Sequence, residues 1–269
     1  MNLLAFDTST ETLTIAVQRG GGAGAATWQH AGPGGASASA TLIPAILALM
    51  QAAGLSFAEL DAIVFGRGPG SFTGLRTACS VAQGLAFGAG VPVLPVDSLL
   101  AVAEEARFQF TQDAQKAEQQ AGRGVPRKFR VVALLDARMD ELYFGCYEFD
   151  GALWSVDQTC SLVKPEALAN IGDVMNAADA ADAAEGGITF MLAGNVFTAY
   201  GDRLPASPWP RVVALPAASS LLRLAPQLLR AGLAVPADQA LPLYIRDKVA
   251  KTTEERLLEK SAAALVVSA

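Results

Sequence analysis

Three short clusters in this 269-residue chain carry side chains suited to phosphate or acid–base chemistry. The densest is GRGPGSFTGLR, Gly66 to Arg76. Gly66, Gly68 and Gly70 allow close backbone approach, Pro69 stiffens the turn, and Ser71 or Thr73 can cap the helix that follows. The unpaired N–H groups and dipole of such a helix start favour an anion. The same glycines equally suit a tight strand-to-helix turn whose only task is close packing. Spacing alone leaves both open. It closes two others: Ser71-Phe72-Thr73 has no lysine for a Walker loop, and Pro69 stands where the nucleophile elbow needs its first glycine. The second cluster, Asp7-Thr8-Ser9-Thr10, places a carboxylate and hydroxyls in one turn, where they face a phosphate or bond their own backbone. The third, Asp136-Ala137-Arg138-Met139-Asp140, has acidic residues but no glycine.

Other chemistries lack their residues. The chain has one histidine, His30, in a Gly/Ala-rich stretch, so neither HExxH nor a histidine metal cluster can form. A Ser–His–Asp triad would have to recruit that same histidine, and Ser71 lacks the elbow context. Cys79, Cys146 and Cys160 have no CxxC spacing and read as reduced thiols. Proteolysis and metal binding are therefore not expected.

The elements that must position these clusters follow from hydrophobic spacing. Asn2 to Phe6 and Leu13 to Gln18 read as strands around the first turn, and Ala62 to Phe65 as a buried strand feeding the glycine loop. Thr41 to Ala53 reads as a helix stopped by Gly54, Phe72 to Phe87 as the next helix, and Val91 to Val96 as a strand. Gly20 to Ala40 reads as a mobile loop, and Arg107 to Arg130 as a polar link. A second start follows: strand Val131 to Leu135, turn, strand Leu142 to Glu148. Phe6-Asp7-Thr8 and Leu135-Asp136-Ala137 echo one another, which suggests duplicated lobes. Thr189 to Leu192 reads as a strand ending at Gly194-Asn195, Ser219 to Ala231 as an amphipathic helix, and Asn176 to Gly187 as a helix end or loop.

Leu42, Ile43, Ile46, Leu47, Leu49 and Met50 cover an arc of roughly 160° on the first helix, wider than the ~100° stripe that packing on one's own core requires. The next helix carries Phe72, Leu75, Cys79 and Ala82 on one face, with Ala78, Ser80, Gly84 and Gly88 permitting close approach. The surplus points to a helix-to-helix interface with another protein, or to burial under a covering loop. Composition narrows partners further. Twenty basic against 26 acidic residues give a net charge of −6, which argues against extensive direct contact with nucleic-acid backbones. No signal peptide or clean membrane span is read, because Asp7 precedes any apolar run and Pro92, Pro95 and Asp97 interrupt Leu85 to Val102.

GRGPGSFTGLR, Asp7 to Thr10, Asp136 to Met139 and Pro242-Leu243-Tyr244-Ile245-Arg246 together resemble the TsaB (YeaZ) family across nearly the whole chain, GPGSFTGLR being the most specific. The resemblance implies an α/β, two-lobed actin-like and sugar-kinase-like fold of mixed sheets flanked by helices. The first lobe would span residues 1–105, with the segment at about 216–269 packing back on it, and the second 106–215. It implies a cytoplasmic, non-catalytic subunit that dimerises with TsaD in threonylcarbamoylation of the tRNA adenosine beside the anticodon. TsaE joins that pair, tRNA is met only through the complex, and a homodimer forms without TsaD. The partner surface would comprise Leu42, Ile43, Ile46, Leu47, Met50, Phe72, Leu75, Cys79 and Ala82. By the same resemblance a weak or vestigial ATP or ADP site would use Asp7, Thr8, Ser9, Gly68, Gly70, Ser71 and Asp136, with no cofactor required. The Asp136 turn and Gly194-Asn195-Val196-Phe197 match the superfamily's nucleotide contacts poorly. Ala38-Ser39 stand where the family often has His-Ser or His-Thr. The charged run Arg246, Asp247, Lys248, Lys251, Glu254, Glu255 and Arg256 reads as a solvated helix face, or as a contact to tRNA or TsaE. The rival expectation is a nucleotide-dependent small-molecule kinase or carbamoyl transferase using Asp7, Asp136 and the Gly68 to Thr73 loop.

Overall fold

In the computed structural model, which describes residues 1–121, 126–170 and 188–246, the first lobe is built on a five-stranded sheet. Its strands are β1 (Leu3–Asp7), β2 (Thr12–Arg19), β3 (Ala26–Pro33), β4 (Ala62–Gly68) and β5 (Val93–Asp97), in the order β3-β2-β1-β4-β5. β1 is apolar from Leu3 to Phe6 and buried along its whole length, Asp7 included, as a strand covered by helices on either side must be. β2 and β3 continue from it antiparallel, and β4 and β5 run parallel to it.

The second sheet repeats this plan with β6 (Phe129–Arg138), β7 (Glu141–Phe149), β8 (Trp154–Val163), β9 (Thr189–Gly194) and β10 (Arg211–Val213), ordered β10-β9-β6-β7-β8. Shifted by five, the order and the parallel or antiparallel sense of each pair match the first sheet. Asp7 and Asp136 therefore sit near the ends of equivalent strands. So do Gly68 (φ 115°) and Gly194 (φ 151°), where a side chain would run into Leu243 O and Leu134 O respectively.

Helices α1 (Ala38–Ala53) and α2 (Phe72–Ala89) cover the outer face of the first sheet. α1 ends at Gly54, left-handed at φ 63°, whose N–H bonds back to Gln51 O. α3 (Ser98–Ala121) leaves the first sheet, and α5 (Ala218–Arg230) returns to it after the one-turn α4 (Phe197–Tyr200). One hydrophobic core runs from Leu3, Val64 and Leu94 through α3 and α5 to Val131, Tyr147 and Met191, so the two lobes share it.

Several expectations change here. Gly20 to Ala40 is not a plain loop, because β3 lies inside it and pairs with β2 from Arg19↔Ala26 to Thr12↔Pro33. Backbone pairing, rather than a side-chain pattern, makes that strand. His30 sits exposed on it. Most of the supposed polar link, Arg107 to Arg130, is the second half of α3, whose buried Leu99, Val102 and Ala106 face the shared core. β8 and β10 had no expectation at all. The Asn176 to Gly187 tract, Asp247 to Arg256 and the chain beyond lie outside the described residues.

Candidate functional site

The glycine loop closes directly onto the first hairpin turn. A side chain at Gly66 would strike the Asp7 carboxylate, at Gly70 the Ser9 backbone, and at Gly74 the Thr8 carbonyl. Hydrogen bonds complete the fit: Ser71 N–H donates to Ser9 O at 2.7 Å, and Thr8 Oγ1 donates to Gly74 O at 2.7 Å. Asp7 is fully buried, its Oδ1 accepting from Ser9 N–H at 2.8 Å and Ser9 Oγ at 2.7 Å, its Oδ2 from Ser98 Oγ at 3.2 Å. Burial outweighs those donors and pushes the Asp7 carboxyl up to about 6. Ser71 occupies the cap position of α2, yet neither it nor Thr73 supplies a side-chain cap.

Between the lobes lies a cleft of about 750 Å³. Ser9, Gly70, Ser71 and Asp136 line it, whereas Asp7, Thr8 and Gly68 do not; these last are packed inside the fold. On the opposite wall Asp136 N–H donates to Asn195 Oδ1 at 2.9 Å, and Asp136 Oδ1 accepts from Arg138 N–H and Tyr200 Oη, each at 2.8 Å. Burial, and then the bond to Asp136, push the Tyr200 phenol up to about 12. The turn holds Arg138, Met139 and Asp140 all at positive φ (61°, 53° and 67°), a costly conformation for residues with a Cβ. Asp140 is gripped by Arg203, and Arg138 reaches across to Glu11 on the first lobe.

The motif Pro242 to Arg246 crosses the mouth of this cleft as a strap. Leu243 N–H donates to Arg67 O at 2.7 Å on the glycine loop, while Arg246 pairs with Glu141 and donates to Arg138 O at 3.3 Å on the second lobe. All four sequence motifs thus meet at one place. Among the described residues no three metal-ligating side chains converge. The three thiols are free, and burial pushes those of Cys146 and Cys160 up to about 12, which leaves them poor nucleophiles.

The expected partner surface divides in two. Leu42, Ile46, Met50, Cys79 and Ala82 are buried against the first sheet, where α1 and α2 need that face for their own core, and Leu75 is buried at the wall of the cleft, so these six are not open to a partner on the outer face. Ile43 (44% exposed), Leu47 (51%) and Phe72 (43%) do face outward. The structure adds Phe87, 85% exposed, which sequence reasoning left unassigned although it closes an apolar turn of α2. Gly84 and Gly88 lie beside it with open space where a side chain would stand.

Two lobes of one topology, sharing a core and enclosing a cleft, define a protein of the actin-like, sugar-kinase-like class. The family model described as "TsaD: tRNA N6-adenosine threonylcarbamoyltransferase" matches residues 33–254. The tRNA threonylcarbamoyladenosine biosynthesis protein TsaB of Escherichia coli K12 is 30% identical over 257 residues, covering 93% of this chain and 96% of its own. That of Haemophilus influenzae is 39% identical over 145 residues, 54% of this chain and 52% of its own. Among solved structures, YeaZ from Pseudomonas aeruginosa superposes with a TM-score of 0.69 at 35% identity, over 90% of this chain and 99% of that one. The chain belongs to the TsaB (YeaZ) family, and its role lies in biosynthesis of threonylcarbamoyladenosine in tRNA.

Proposed function

We propose that this chain is a non-catalytic docking subunit of the threonylcarbamoyladenosine machinery, gripping TsaD through the outer faces of α1 and α2. One observation carries the reading. The 16 residues of α1 include no charged side chain, and the 18 of α2 include one, Arg76. A surface helix normally turns charges to water. Here Ile43, Leu47 and Phe87 face outward instead, beside glycines that leave room for another helix. In this reading TsaE joins the pair, a homodimer uses the same surface when TsaD is missing, and tRNA is held by the assembled complex. The burial of Asp7 and Thr8 supports it against the kinase or carbamoyl-transferase alternative, since those groups are spent on internal hydrogen bonds. It also limits any ATP or ADP site to weak contacts from Ser9, Gly70, Ser71 and Asp136, with no cofactor needed.

The test is co-purification with TsaD. Leu47→Glu and Phe87→Glu each put a charge on the exposed face and are expected to abolish the pair and tRNA modification while leaving the thermal melt unchanged. Ile46→Glu is not a fair probe, because it buries a charge in the core. Normal TsaD binding by both surface variants would refute the assignment.

A further inference from the structure

The lone charge of α2 has distinctive surroundings. The Arg76 guanidinium carbon lies 3.9 Å from the Phe72 ring centroid and 6.0 Å from that of Tyr244. Arg76 Nε donates to Tyr244 Oη at 3.0 Å, and the two rings are 5.3 Å apart. Stacking on Phe72 and that hydrogen bond hold the guanidinium against the two rings through its face and its Nε. Carboxylates pair with Arg67, Arg107, Arg138, Arg203, Arg223 and Arg246. Arg76 has none among the described residues. Tyr244 is 45% exposed, and its strap neighbour Leu241 also faces solvent.

A pre-oriented, unpaired guanidinium in an aromatic and aliphatic setting is suited to one ligand group, a carboxylate presented beside an apolar side chain. Tyr, Phe and Arg so grouped are the composition of a protein-interface anchor, and ordering costs are low because the cation is already held. We propose that Arg76 is the specificity anchor of the docking face, pairing with an acidic side chain of the partner protein while Phe72, Tyr244 and Leu241 receive that residue's apolar neighbour. The proposal rests on α2 being the docking helix. Phe72 and Phe87 lie about 22 Å apart along it at 1.5 Å per residue, within the span of one interface of standard size. An RNA strand is disfavoured as occupant. A single cation on a chain of net charge −6 offers too little to a phosphate backbone.

The experiment measures TsaD affinity for the full-length chain and for Arg76→Ala, Arg76→Lys, Arg76→Glu and Leu47→Glu, each first checked by its melt. Arg76→Ala is expected to weaken binding roughly thirtyfold, as for a central hot-spot residue. Arg76→Lys should recover little of this, since a point charge cannot replace the planar fork. Arg76→Glu should be rescued when one TsaD carboxylate is changed to arginine. Undiminished binding by Arg76→Ala, with binding lost in Leu47→Glu, would overturn the anchor and keep the docking helix. Undiminished binding by both would remove the docking helix as well. If Arg76→Ala spared TsaD affinity but cost the assembled complex its hold on tRNA, RNA would replace protein as the occupant and the proposal would fall.

Discussion

Asp7 is a carboxylate with no exposure, held by two hydroxyls and an amide and by no cation among the described residues. Its burial moves it from an ordinary 3.8 to about 6, the reverse of the usual effect of folding on an acid. The native state therefore binds this proton more tightly than the unfolded chain does. Stability falls as pH rises from about 4 to about 6, and above that window the ionised group costs on the order of 3 kcal/mol. Asp7→Asn keeps an acceptor for Ser9 and offers a donor to Ser98. It is expected to equal the parent near pH 4 and to exceed it by about 1–3 kcal/mol at pH 8, read by urea unfolding at both values. A difference that is the same at the two pH values would show that Asp7 does not titrate in this range.

Helix α2 uses its glycines in opposite ways on its two faces. Gly74 lies against the Thr8 carbonyl, so Gly74→Ala should destabilise by about 1–3 kcal/mol through overpacking. Gly84 meets nothing, so Gly84→Ala should stabilise the isolated chain by up to about 1 kcal/mol, the usual gain at a helix interior. The same methyl should weaken TsaD binding if the space is reserved for a partner, so unfolding and binding measured together separate stability from docking. This contrast also shows what a one-dimensional pattern can carry. The apolar runs that became β1, β4, α2 and the echo of Asp7 in Asp136 were legible, because burial on both faces or on one stripe marks them directly. β3 was not, since Ala26 to Pro33 has neither alternation nor apolar bulk and exists by pairing with β2. The second half of α3 looked like a link because its polar residues face water. At the site, the motifs were visible, but their meeting was not. No spacing rule could bring Tyr244 onto Arg76 across 168 positions, nor tell that Leu42 and Ile46 point inward while Ile43 and Leu47 point out.

At the scale of the molecule, the two lobes are tied behind the cleft by Glu104. Its carboxylate accepts from Arg107 at 2.8 and 2.9 Å, from Arg223 at 2.7 Å and from the Trp154 indole at 2.9 Å, joining α3, α5 and the second sheet. Burial alone would raise its pKa, but the Arg107 bonds and charge, the indole and Arg223 together hold it below the usual carboxylate value. That contribution is complete above the unfolded value of about 4.5 and fades as pH falls through the depressed native one. Glu104→Gln should cost about 1–3 kcal/mol at pH 7, because it removes the charge that the half-buried Arg107 and Arg223 share, and parent and variant should converge in acid. Equal stability at pH 7 would mean that the Glu104 carboxylate does not help to join the lobes. One asymmetry has a consequence for assembly. The first lobe fills the crossover between its fourth and fifth strands with the long α2, whereas the second has the single turn Phe197–Tyr200 and a short 3-10 turn, Gly201–Arg203, between β9 and β10. If the proposed docking runs through α1 and α2, the lobe with the long crossover helix carries the contact, and a pair closed through that one face would leave no equivalent face free for a further copy.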